Sequence, residues 1–152
     1  MAYGRENVER QNLRYRKIRE AGGVECVRDV YVRNPRLASY WFVGKVAYCT
    51  GTVTPDRAVA RQLNLIEEHA TRLRSVELGR AFGECQIWTA PGDTEVLLSQ
   101  KDPGTRLERV ERFVGTCEEV NAAEVGLCLE VVTNRGVGFH VERDDDGTIP
   151  SR

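Results

Sequence analysis

The spacing of apolar and polar residues along the chain predicts six strands and two helices. Residues 24–32 are rich in β-branched and aromatic side chains and stop at Asn34-Pro35, which predicts a strand. Residues 40–49 are apolar almost throughout, the pattern of a strand covered on both faces. Thr54-Pro55-Asp56 then supplies a cap, a proline at the first helical position and an acid in the first turn. Behind it Val59, Leu63, Ile66, Ala70 and Leu73 recur at steps of four and three, the buried stripe of a long helix. Gly79 and Gly83 close this region, with Phe82 anchoring its exit. Residues 85–89 and 94–99 read as strands around a hairpin turn at Ala90-Pro91-Gly92-Asp93. Thr105 and Glu108 have capping-box spacing ahead of Leu107, Val110, Phe113 and Val114, which predicts a shorter helix, and residues 118–125 add a turn or two before Gly126. Residues 127–133 and 137–142 flank Asn134-Arg135-Gly136 as a final hairpin.

The order is ββαββαββ. Strands arriving in hairpin pairs predict an α+β fold, a mostly antiparallel sheet of about six strands with one long and one shorter helix on one face. A half-open barrel wrapped round the long helix is the other arrangement the pattern allows. This body spans residues 24–143. Before it, residues 1–23 form a basic arm in which Arg5, Arg10, Arg14, Arg16, Lys17 and Arg19 outnumber three glutamates. Only Leu13, Tyr15 and Ile18 hint at a helical stripe, so the arm is expected to lie on its own domain or on another molecule. After the body, residues 144–152 carry Asp144-Asp145-Asp146 and read as a flexible acidic tail.

Length and composition narrow the function classes. At 152 residues, 41% hydrophobic and 30% charged, the chain suits one domain with a real core. No apolar run approaches the ~20 residues of a membrane span. A net charge of −1 argues against generic nucleic-acid binding. Lysine supplies only three of the 22 basic residues; the rest are arginine, which forms fixed bidentate contacts. Cys26, Cys49, Cys85, Cys117 and Cys128 are odd in number and lie in or near apolar runs, which fits buried free thiols in a reducing compartment.

Catalytic chemistry finds little footing. His69 lies beside the apolar stripe of the long helix and His140 alternates with Phe139 and Val141, positions that suit packing better than acid–base work. No cysteine has an activating neighbourhood and no ligand pair has zinc spacing. The aspartate run lacks the alternation of a calcium loop, and Gly136-Val137-Gly138 lacks the rest of a phosphate-binding fingerprint. Neither a metal nor a cofactor is expected. RNA binding through the basic arm is an alternative, with Tyr15 stacking among cations. A ligand or pigment carrier built on Trp41, Phe42, Trp88 and Phe139 is another.

Residues 40–47 (Tyr-Trp-Phe-Val-Gly-Lys-Val-Ala), 58–73 and 87–93 (Ile-Trp-Thr-Ala-Pro-Gly-Asp) together resemble small nuclear-encoded plastid proteins that accompany photosynthetic membrane complexes in algae. The resemblance covers the middle half of the chain and carries no catalytic positions. It implies an accessory subunit or transient assembly factor in the plastid stroma, thylakoid-associated through its complex, with photosystem I of red-lineage algae as the preferred case. The expectation is a non-enzymatic interaction protein with no small-molecule substrate. Arg14, Arg16, Lys17 and Arg19 would pair with acids on photosystem core subunits, Tyr15 or Ile18 would fill a pocket, and Tyr31 and Trp41 would assist if a strand face is open.

Overall fold

The computed structural model describes residues 4–111, 120–129, 132–133, 136–137 and 139–150. Its elements in chain order are α1 (Arg5–Gly22), β1 (Val27–Arg33), β2 (Ser39–Tyr48), α2 (Pro55–Arg61), α3 (Leu63–Leu73), β3 (Gln86–Pro91), α4 (Glu95–Ser99), β4 (Glu108–Val110), β5 (Val125–Cys128), β6 (Val132–Thr133), β7 (Gly136–Val137) and β8 (His140–Glu142). The fold is α+β. One six-stranded sheet runs β4-β3-β1-β2-β5, and β8 pairs with the first residues of β2 while β5 pairs with its last. Every pairing is antiparallel. β6 and β7 form a separate small hairpin close to the one the turn chemistry predicts.

Alternation along β1 and β2 sorts side chains to the two faces. Val30, Val32, Trp41, Val43, Val46 and Tyr48 point to one face, where α2 and α3 bring Val59, Leu63, Ile66 and Ala70 to close the larger core. The predicted stripe is therefore buried as far as Ala70, while its last member, Leu73, is half-buried. Its helix is divided at Gln62, whose N–H reaches Val59 rather than the residue four back, while its buried side chain donates to Gln11 of α1 at 2.8 Å. On the opposite face Tyr31, Tyr40, Phe42, Trp88, Leu98, Phe139 and Val141 pack at one end, and Val27 and Ala47 meet Tyr15 and Ile18 of α1 at the other. A register shift between Val30 and Tyr31 switches the parity of β2 between the two ends.

Five local expectations differ from the structure. Phe82, expected to anchor the exit of the helical region, is 62% exposed. Helices cover both faces of the sheet, because α1 lies across β5 and β2 opposite α2 and α3. Residues 95–99 are helical, not a strand: Thr94 precedes a turn with Leu98 buried and Leu97 exposed. The capping-box pair at Thr105 and Glu108 does not start a helix. Thr105 Oγ1 instead bonds Asp102 at 2.7 Å, and Glu108–Val110 adds a strand to β3. Phe113, Val114 and residues 118–119 of the predicted helical stretch lie outside the described residues, and residues 122–124 form a single 3-10 turn. The acidic segment at 144–148 is anchored rather than free: Tyr40 donates to the Asp144 carbonyl at 2.5 Å, and the Arg33 guanidinium pairs with Asp145.

Candidate functional site

Between the two packing clusters on the α1 side of the sheet lies a charged network. Asp29 on β1 and Lys45 on β2 are cross-strand partners, and their side chains approach to 3.4 Å. Lys45 Nζ also reaches Asp93 at 2.6 Å and Glu95 at 3.0 Å. Asp93 follows β3 with φ of 60°, a left-handed conformation that a short polar side chain tolerates. Its turn is pinned by Asp29, which accepts from the N–H of Asp93 at 3.1 Å and of Thr94 at 3.0 Å. Arg19 of α1 completes the chain, pairing with Asp93 and donating to Tyr15 Oη at 2.7 Å.

Electrostatics fixes the role of each group. Burial pushes the fully enclosed Asp29 carboxyl up to about 6, against the pull of Lys45 and the two backbone donors. Burial also opposes the Lys45 ammonium, but its three carboxylates outweigh that and raise its pKa. The Arg19 hydrogen bond holds Asp93 below the usual carboxylate range. A lysine locked in its charged form is neither nucleophile nor base. With Asp29 and Glu95 at 0% and 3% exposure, this network is a fastener that ties α1 and the 92–95 turn to the sheet.

The predicted partner-binding residues divide accordingly. Tyr15 and Ile18 do not project to a neighbour; both are buried against the protein's own sheet. Arg19 is engaged by Asp93. Tyr31 is fully buried, edge-on to Phe42 at 5.6 Å and Phe139 at 6.2 Å. Trp41 is enclosed between His140, 4.3 Å away ring to ring, and the Arg74 guanidinium, 4.5 Å from the ring centre. No open strand face presents either one. Arg14, Arg16 and Lys17 remain on the outside of α1 and have no ion pair among the described residues.

Two residues join them that the sequence reading did not single out for contact. Leu13, expected on the buried stripe, is 56% exposed, because the buried face runs through Gln11, Tyr15 and Ile18. Arg10, Leu13, Arg14 and Lys17 then fall at i, i+3, i+4 and i+7, one face of the helix. A polar cleft of 250 Å³ opens beside Arg14, with Arg61 and Asn64 on its far wall and the Gln11–Gln62 pair at its base. No acidic residue lines it among the described residues. Four cysteines are free thiols, and no three His, Cys, Asp or Glu residues converge as a metal set among the described residues. Among the described residues, no helix is long and apolar enough to cross a membrane.

No family model, curated protein or solved structure matches the chain. None of these comparisons supports the plastid resemblance expected from the three quoted segments. In the fold these are β2, the α2–α3 pair and β3, and the first and third meet at the Lys45–Asp93 ion pair.

Proposed function

We propose that the protein is a non-catalytic docking subunit that binds an acidic protein surface through the outer face of α1. The observation that carries this reading is the divided helix: Tyr15, Ile18 and Arg19 hold one face to the sheet, while on the other Arg10, Arg14 and Lys17, which have no ion pair among the described residues, surround the exposed Leu13. An apolar anchor ringed by arginine suits protein interfaces, where buried area and bidentate pairs carry affinity. The helix arrives pre-ordered, so little entropy is lost on binding. The cleft beside Arg14 accepts a carboxylate side chain of the partner. The resemblance supplies the first partner to try, the stromal face of photosystem I.

The test is binding of the purified chain to solubilised photosystem I, compared with an Arg10→Glu/Arg14→Glu/Lys17→Glu variant. The wild type is expected to bind at fixed stoichiometry, weakening with salt. The variant should melt at the same temperature and bind at least about tenfold more weakly. Equal binding by the variant overturns the reading. So does failure of the wild type to bind at about 0.15 M salt, or a preference for RNA over the protein complex.

A further inference from the structure

A cavity lies at the other end of the sheet, between α4 and β8, away from the outer face of α1. Arg143 follows β8 and is 4% exposed. Its guanidinium donates to the carbonyls of Leu98 at 2.6 Å and Glu142 at 2.8 Å, and no carboxylate pairs with it among the described residues. A guanidinium carries five N–H donors, so two carbonyls leave three of them, and no carboxylate among the described residues forms an ion pair with it, although Asp102, Glu108 and Asp146 line a separate cleft that Arg143 also borders. A buried charge in that condition is costly unless something answers it. The nearby Tyr31 hydroxyl is likewise enclosed without a hydrogen-bond partner.

The cavity measures 430 Å³. Ser99, Lys101, His140 and Glu142 line it with Arg143, and Phe139, Val141 and Pro150 supply its apolar surface. Among the described residues the single carboxylate in the lining, Glu142, accepts from Ser39 at 2.7 Å and faces His140 at 3.6 Å. The volume falls in the range of small-molecule sites, and the lining combines an apolar patch with several charged and polar groups.

We propose that this cavity binds a small organic monocarboxylate, its carboxylate held by Arg143 and Lys101 and its apolar body lying against Phe139 and Val141. One carboxylate gives the guanidinium the counter-charge it lacks, in the geometry a planar fork prefers. A dianion is disfavoured by Glu142 in the lining, and a neutral ligand leaves the buried charge unanswered.

The experiment titrates the full chain with benzoate and hexanoate, with benzyl alcohol and inorganic phosphate as controls, and reads thermal shift and amide NMR. Either carboxylate should raise the melting temperature by roughly 3 to 6 °C at ten times its Kd, and should move the resonances of Ser99, Phe139 and Val141. Benzyl alcohol and phosphate should do neither. Arg143→Met should abolish binding. Should that variant not fold, the exposed Lys101→Glu is the working comparison and should weaken binding by about tenfold. Absence of any shift overturns the proposal. So does equal response to phosphate, or undiminished binding in Lys101→Glu.

Discussion

Asp29 and Asp93 contribute with opposite signs to the pH dependence of folding. Desolvation holds the Asp29 carboxyl at about 6, above the ~3.9 of an unfolded chain. Between those values the folded state retains a proton that the unfolded chain releases, so this group favours folding most in acid, and its contribution falls as pH rises through the window. Two units correspond to about 3 kcal/mol at most. Asp93 acts with the opposite sign: Arg19 depresses it, so its contribution is present above the ordinary carboxylate pKa and is lost as pH falls beneath it. Asp29→Asn should therefore flatten the pH dependence of urea-unfolding stability between about pH 4 and 6, and an unchanged slope would refute the assignment. Lys45→Met makes a stronger demand, since it leaves Asp29 and Glu95 buried without their ammonium; a loss of about 3–5 kcal/mol at pH 7 is expected in the same assay. Neither Asp29 nor Lys45 announces this in the sequence. Each is one polar position in an apolar strand, and its partners Asp93 and Glu95 lie 48 and 50 residues beyond Lys45.

For the elements, the periodicity of residues 59–73 was enough to show helix with its apolar stripe inward, because the stripe is apolar at every step, but not the break at Gln62 that divides it into α2 and α3. Helix α1 was harder. Its buried face begins at Gln11, a polar residue satisfied by Gln62, so the apolar letters alone point to Leu13, which is exposed. The strand read at 94–99 and the helix start read at 105–108 failed for a shared reason. Their local signals are weak, and tertiary contacts decide them: Asp29 caps the turn that enters α4, and β3 recruits Glu108–Val110 through its free edge. Docking of α1 has its own sharp test at Gly126. A Cβ there would overlap the backbone nitrogen of Tyr15, and backbone, unlike a flexible side chain, cannot move aside. Gly126→Ala is expected to cost about 1–3 kcal/mol. In hydrogen exchange the amides of α1 should lose protection while those paired between β1 and β2 keep it. Equal protection across the molecule would show that α1 is not held by this contact.

Across the whole molecule, the segment after β8 acts as a strap on the aromatic end of the sheet, although three consecutive aspartates read as a solvated tail. What composition hides is where the backbone goes. Gly147, at φ 82°, turns the chain so closely over Trp88 that a Cβ would collide with the indole, and Gly147 N–H closes the turn on the Asp144 carbonyl at 2.9 Å. The aspartate side chains stay in water, and Asp145 is 94% exposed even while pairing with the enclosed Arg33. Asp145→Asn alone should therefore cost no more than about 1 kcal/mol, because solvent screens the exposed partner. Ending the chain after Arg143 is a different perturbation. It uncovers Trp88 and Leu107, removes the acceptor of Tyr40 and leaves Arg33 to Leu37 and Gln86 alone. The expected loss is about 2–4 kcal/mol, or roughly 5–10 °C in melting temperature for a domain of this size. In a Trp41→Phe background only Trp88 fluoresces, and its emission should shift to the red as water reaches the ring. If the shortened chain melts with its parent and its emission stays blue, the aspartate segment contributes nothing to closing that end of the sheet, and the Trp88 side must be sealed by α4 and residues 102–107.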